Sequence, residues 1–185
     1  MEKLVLVEPE LPENTGFIAR LAANFEADLR LVNPEFNLSE ARKTANKYQK
    51  KLRGAEIYDS VEDSVDDLEY VAGTKPGKGS PLKSFTPREN ISLMIGRESH
   101  GLSNRELELC DSVIHIEAGK SSSLNQSHAA AVLMHSFYTE EDGRADVKLD
   151  SIRDESGEVT RKLLRRAAPT EKELKAVIAE FKSDD

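Results

Sequence analysis

The chain of 185 residues and 20.6 kDa has the length of one domain with a small appendage, and its composition, 38% hydrophobic and 32% charged with no tryptophan, is that of a globular protein near the polar edge of its class. No window approaches the roughly 18 uncharged apolar residues of a membrane span, the opening run Leu4-Val5-Leu6-Val7 stops at Glu8 and is no signal peptide, and the single cysteine, Cys110, excludes a disulfide framework and any cysteine-built zinc cluster. A cytoplasmic protein without membrane or metal partners is expected. The net charge of -8, from 34 acids and 26 bases, argues as a total against nucleic acid, since affinity for phosphates comes largely from Lys and Arg.

Short apolar runs alternate with amphipathic stretches, which predicts an α/β fold with a mainly parallel sheet. Strands are expected at residues 4–7, 29–32, 56–58, 69–73, 91–96 and 112–116, with helices between them. In the first helix Ile18, Leu21, Ala22 and Phe25 recur at the spacing of a buried stripe, and Gly16 and Arg20 lie one turn apart on the opposite face. A glycine there costs helix stability and suggests a close approach to the backbone beside Arg20; the plainer alternative makes Asn14 an N-cap and Arg20 a surface charge. Capping boxes are expected at Asn37 with Glu40, Ser103 with Glu106 and Thr170 with Glu173. Residues 139–158 hold eight acids, three bases and two glycines. They predict a domain over 1–140, a linker over 141–158 and a short helical extension over 159–185, with helices at 159–168 and 170–182.

Charge is blocked. Arg42, Lys43, Lys47, Lys50, Lys51 and Arg53 form a basic run without an acid, residues 56–69 hold seven acids without a base, and Arg161, Lys162, Arg165 and Arg166 form a second basic cluster. Taken alone, any one such run is better read as a solvated helix face. Residues 151–185 carry eight bases and eight acids, so the whole deficit lies in the first 150, which nonetheless contain the basic run at 42–53. For RNA, the location of positive charge matters more than its sum.

Several chemistries are excluded by spacing. The stretch Gly73-Thr74-Lys75-Pro76-Gly77-Lys78-Gly79-Ser80 is no P-loop, because three residues separate Gly73 from Gly77 and Gly79 follows Lys78 where Ser or Thr is required. No G-x-G-x-x-G follows the first strand, no G-x-S-x-G elbow is present, and His100, His115, His128 and His135 lack metal-ligand spacing.

Three segments carry a signal. Asn14-Thr15-Gly16 with Arg20 opens the first helix. Gly96-Arg97-Glu98-Ser99-His100-Gly101-Leu102-Ser103 follows an apolar strand, where ligands of open α/β sheets bind, or else forms a tight turn that serves only the backbone. Ser122-Ser123-Leu124-Asn125-Gln126-Ser127-His128-Ala129 leads into an alanine-rich helix whose first turn offers free amides and small residues, or else is an ordinary cap. In this order the three resemble the motifs of the SPOUT (SpoU and TrmD related) RNA methyltransferases, in the branch that methylates the ribose 2'-oxygen. The resemblance covers roughly residues 1–140. Leu31-Val32-Asn33-Pro34 and the helix at 41–55 look most like the tRNA (cytidine/uridine-32-2'-O)-methyltransferases.

That resemblance implies helices on both faces of the sheet, a carboxy-terminal deep trefoil knot over residues 91–138, and a homodimer whose sites are built by both subunits. S-adenosylmethionine is then held at Thr74, Lys75, Pro76, Gly96, Glu98, Gly101, Ile116, Ser123, Leu124 and Asn125. Catalysis falls to Arg20, with Asn14, Glu98, Ser123 and Asn125 orienting it, the ribose or the cofactor. Arg20 is either the proton acceptor or, since arginine normally stays charged, a stabiliser of alkoxide charge. The substrate is tRNA, bound through the basic residues at 42–53 and 161–166. Methylation of the wobble nucleotide or of rRNA, or a catalytically silent RNA-binding dimer, are the alternatives. Residues 74–79 lack the arginines common after the corresponding Thr, and the tail is short.

Overall fold

Each apolar run is too short for a buried helix and rich in Leu, Ile and Val, the composition of a parallel strand covered on both faces. The computed structural model describes residues 1–119 and 124–138, within the compact unit Met1–Thr139. In chain order these form β1 (Lys3–Val7), α1 (Pro12–Asn24), β2 (Asp28–Val32), α2 (Leu38–Ala45), a 3-10 turn (Asn46–Tyr48), α3 (Gln49–Arg53), β3 (Glu56–Tyr58), α4 (Val61–Val65), β4 (Tyr70–Thr74), β5 (Ser80–Pro81), a second 3-10 turn (Leu82–Ser84), β6 (Ile91–Ile95), α5 (Asn104–Glu108), β7 (Ser112–His115) and α6 (Gln126–Tyr138). Ser123, the expected linker and extension, the Thr170 capping box and Arg161, Lys162, Arg165 and Arg166 lie outside the described residues. So does part of the expected knot, whose path runs through residues 120–123.

The strands form one sheet in the order β3-β2-β1-β6-β4-β7-β5, and every pairing described is parallel. Alternation along the strands decides the two faces. Leu4, Leu6, Leu29, Leu31, Leu93 and Ile95 pack against Ile18 and Ala22 of α1, Ala41 and Ala45 of α2, Leu52 of α3 and Leu133 and Met134 of α6. Val5, Val7, Val32, Val71 and Met94 point the other way, onto Val61 of α4, Leu107 of α5 and Leu102. Helices therefore cover both faces, as the family resemblance implied.

Local signals act as expected at two helix starts. Asn37 and Glu40 form a complete capping box on α2, and Ser103 and Glu106 form one on α5. α1 begins differently: Pro12 occupies its first turn, Leu11 stands at the cap without a side-chain bond, and Asn14 lies inside the helix. The strands expected at 69–73, 91–96 and 112–116 move or shorten by one residue, and β5, with no apolar pattern, is held by pairing to Ile114 and His115 of β7. The helix expected over 41–55 is broken. Asn46 takes a φ of +49°, which ends α2 and forces a 3-10 turn before α3.

Gly16 explains itself here. A Cβ at this position would collide with Thr44 Oγ1 and Ala41 O, so the close approach inferred from the sequence is made by α2 and not by a ligand. The acidic stretch also has an internal partner. Arg30 of β2, only 3% exposed, binds Glu56 at 2.8 Å, Asp67 through two bonds at 2.6 and 2.8 Å, and Ser64 O at 2.8 Å.

Candidate active site

β6, β4 and β7 are neighbours in the sheet, so their carboxyl ends stand side by side, and the loops that leave them converge on a cavity of about 300 Å³. This is where open α/β sheets place ligands, and the volume lies at the lower end of the small-molecule range. Thr74, Lys75 and Pro76 line it from the first loop, Gly96, Glu98 and Gly101 from the second, and Ile116 and Leu124 from the third. Ile95, Ile114 and Leu133 supply apolar wall. Asn125 stands beside that wall rather than in it, as the cap of α6: its Oδ1 accepts from Ser127 N at 2.9 Å and His128 N at 3.4 Å.

The loop after β6 is closed by its glycines and locked by charge. A Cβ on Gly96 would strike the backbone of Gly101 and Leu102, and Gly101 itself has a φ of +66°. Gly101 N returns to Arg97 O at 2.9 Å. Between them Arg97, 11% exposed at its side chain, binds Glu8 at 2.5 Å and grips Glu106 through two bonds at 2.9 and 3.1 Å. Burial pushes the Glu106 carboxyl up, but the Arg97 and Ser103 hydrogen bonds outweigh it and hold the group below its ordinary value. Glu10 adds a second clasp, accepting from Ser99 N at 2.9 Å and Ser99 Oγ at 2.6 Å.

Residues from all three sequence segments meet in one hydrogen-bonded chain. Because Asn125 Oδ1 faces the α6 amides, its Nδ2 faces outward and donates to Asn14 Oδ1 at 3.2 Å; Asn14 Nδ2 then donates to Glu98 Oε1 at 3.1 Å. Glu98 also accepts from Glu10 N at 2.8 Å and Leu11 N at 3.3 Å. The relay has one direction and ends on a carboxylate, so each amide orientation follows from the next. Positions 14, 98 and 125 are far apart in the chain, and only the fold joins them.

The family model of the SpoU rRNA Methylase family matches residues 2–135. The chain belongs to the SpoU methylase family. It is 33% identical to the tRNA (cytidine-2'-O-)-methyltransferase TrmJ of Methanocaldococcus jannaschii, across 75% of this chain and 68% of that protein. Among solved structures it is similar to one described as "Structural insights into the 2-OH methylation of C/U34 on tRNA", with a TM-score of 0.69, 29% identity, and coverage of 75% of this chain and 94% of that one. The SpoU methyltransferase AviRb of Streptomyces viridochromogenes, in complex with AdoMet, shares the fold at a TM-score of 0.65 and 23% identity over 75% of this chain and 56% of that one. As a SpoU methylase, the protein is a methyltransferase.

Other expected site residues of this SpoU methylase lie apart from the cavity. Arg20 is exposed on α1, its guanidinium carbon 5.9 Å from the Phe17 ring centroid. Arg42, Lys43, Lys47, Lys50 and Arg53 are exposed on α2, the 3-10 turn and α3, whereas Lys51 is partly buried and tied to Asp28 at 2.9 Å. Among the described residues no helix is long and apolar enough to cross a membrane, and no group of three His, Cys, Asp or Glu side chains is placed to hold a metal ion. Sequence reasoning missed Glu8 and Glu10, the ion pairs that make Arg97 and Glu106 holders of the second loop, and the place of Gln126 in the cavity wall. A capping glutamate three residues after Ser103, close behind an arginine flanked by glycine, was the available signal for the ion cluster.

Proposed function

We propose that the protein transfers a methyl group from S-adenosylmethionine to a ribose 2'-hydroxyl of tRNA, at nucleotide 32 of the anticodon loop. The observation that carries this reading is the convergence of Asn14, Glu98 and Asn125 beside the cavity at the ends of β4, β6 and β7. The cavity suits the cofactor: an apolar slot formed by Ile95, Ile114, Ile116 and Leu133 accepts a purine, and loop backbone and Thr74, Glu98 and Ser99 supply polar partners. When bound, the cofactor supplies a methyl activated by its sulfonium charge, so that an O–CH3 bond forms as the S–CH3 bond breaks. The Asn125–Asn14–Glu98 relay fixes the edge at which the ribose is aligned. Arg20 holds an RNA phosphate and the developing alkoxide charge, while the hydroxyl proton leaves to phosphate or water. The similarity to TrmJ supports tRNA as substrate.

A homodimer fits the exposed surface. Leu11 and Phe17 near Arg20 on the α1 side, and Leu124, Val132 and Tyr138 on the α6 side, are all 40% or more exposed. A second copy seated there brings Arg20 to a shared site.

Incubation with radiolabelled S-adenosylmethionine and bulk tRNA or rRNA, followed by nuclease mapping, is expected to place the label on nucleotide 32. The likeness to the structure concerned with C/U34 favours a second reading, the wobble nucleotide. Label at nucleotide 34 or in rRNA would replace the substrate assignment, and no label in either RNA would leave a silent RNA-binding dimer. Charge reversal of Arg42, Lys43, Lys47, Lys50 and Arg53 is expected to weaken tRNA binding at least tenfold, to flatten its salt dependence and to spare cofactor binding, as read by filter binding across a salt series. Unchanged tRNA affinity would move the RNA to another face.

A further inference from the structure

Ser99 and His100 line the cavity and are both exposed, so water and ligand reach them. Ser99 Oγ lies 2.6 Å from Glu10 Oε1 and 2.7 Å from His100 Nδ1. The Ser99 hydroxyl, above all, holds the Glu10 carboxyl below its ordinary value, so Glu10 is a carboxylate. A carboxylate only accepts, so the single hydroxyl hydrogen of Ser99 goes to Glu10 and Oγ turns a lone pair to His100. Nδ1 therefore carries a hydrogen whatever the charge of the ring, and in the neutral ring Nε2 is the free acceptor. The two ring nitrogens point away from each other, so a ring tied back through Nδ1 directs Nε2 away from Glu10. Nε2 has no hydrogen-bond partner among the described residues. Glu10 also joins this chain to the relay that aligns the ribose: its backbone N donates to Glu98 Oε2 at 2.8 Å, and Glu98 Oε1 accepts from Asn14.

We infer that His100 Nε2 collects the proton released by the ribose 2'-hydroxyl. The inference rests on the cavity being the methyl-transfer site, and it names where the proton goes after water receives it. As the 2'-oxygen bonds to the methyl carbon and the S–CH3 electron pair stays on sulfur, the hydroxyl gives its proton to a water molecule. That water passes a proton of its own to Nε2. His100 then donates from both nitrogens, and the Ser99–Glu10 chain meets its charge. Histidine suits the task because it is the side chain whose charge changes near neutral pH. The groups around it have other duties. Arg97, in the same loop, is held by Glu8 and Glu106, and Glu98 by the relay. From the loops after β4 and β7, Lys75 donates to Leu102 O, and His115 Nδ1 to Lys78 O at 3.1 Å. Glu10, from the loop after β1, is the carboxylate linked to the ring.

The test joins nitrogen NMR of the histidine rings in the ligand-free full chain to pH profiles of single-turnover transfer to tRNA. The neutral His100 ring is expected as the Nδ1–H tautomer, and Ser99→Ala is expected to release that preference and to slow transfer about tenfold. An asparagine amide takes the place of Nδ1 and keeps the donor to Ser99, so His100→Asn removes Nε2 alone. This variant is expected to transfer about 100-fold more slowly at neutral pH while its unfolding temperature and its calorimetric affinity for S-adenosylhomocysteine stay unchanged. The unsubstituted chain is expected to lose activity as acid protonates the ring, and His100→Asn is expected to lack that limb. An Nε2–H tautomer at His100 overturns the inference alone. So does a His100→Asn variant that keeps the acid limb, which would return the limb to His115 or another group, or one that transfers within about threefold of the unsubstituted chain. Equal losses of rate and of S-adenosylhomocysteine affinity mark a structural part of the loop and overturn it as well. Failure of the unsubstituted chain to methylate tRNA or rRNA overturns the functional reading, and this inference with it.

Discussion

Arg20→Ala is expected to lower methyl transfer to tRNA by about 10²- to 10³-fold, the usual effect of removing one group that meets transition-state charge, while cofactor affinity stays close to that of the unsubstituted chain. The expectation follows from where Arg20 sits. It is exposed on α1, makes no part of the cavity wall, and lies over the Phe17 ring at 5.9 Å from its centroid, so its truncation removes nothing from the cavity proposed to hold the methyl donor. It lies on the helix that carries Asn14 into the relay. Arg20→Lys keeps a charge but loses the planar fork that grips a phosphate, and is expected to recover only part of the rate. Calorimetry with S-adenosylhomocysteine and single-turnover transfer to tRNA separate the two effects. Loss of cofactor binding in Arg20→Ala would place this residue in the cofactor pocket and end its role as a charge stabiliser.

The same residue marks how far the sequence could be read. Helix α1 was legible from Ile18 and Ala22, because burial imposes a period on neighbours in the chain, and the strands of a mainly parallel sheet from short apolar runs such as Leu4-Val5-Leu6-Val7. Asn37 and Ser103 announced their helices because a cap is a local event within four residues. Gly16 was legible as a close approach, but its partner, Thr44 on α2, is set by packing between elements that no local pattern specifies. The break at Asn46 and the strand at Ser80 and Pro81 failed for a related reason: one depends on a single unusual dihedral and the other on pairing to β7. Asn14, Glu98 and Asn125 were singled out through the family resemblance as site candidates, whereas the order in which they bond, and the supporting charges of Glu8, Arg97 and Glu106, exist only once β1, β6 and α5 are placed together.

Those supporting charges carry the second large effect. Arg97→Ala leaves the carboxylates of Glu8 and Glu106 without their shared cation, and because Glu106 is 11% exposed but Glu8 33%, the loss is expected toward the lower end of the roughly 3–5 kcal/mol that breaking a buried ion pair costs. Chemical denaturation is expected to show a loss of that size, and cofactor binding should fall with it, since Arg97 holds the loop that brings Gly96, Glu98 and Gly101 to the cavity. Neutralising the partner as well, in Arg97→Met with Glu106→Gln, keeps a side chain able to reach the Ser103 amide and is expected to restore part of the loss; the non-additivity measures the pair. The pH dependence has a definite sign. The folded Glu106 carboxyl lies below its ordinary value despite burial, because Arg97 and Ser103 bind its charged form, so its contribution is complete above the ordinary glutamate pKa of about 4.3 and is lost as pH falls through the lower folded value. Acid unfolding of the unsubstituted chain should therefore contain a limb below that point which Arg97→Ala lacks. A variant that keeps both the midpoint and the acid limb would show that Gly96 and Gly101 alone set the loop, through the backbone closure they permit, and that the charges merely decorate it.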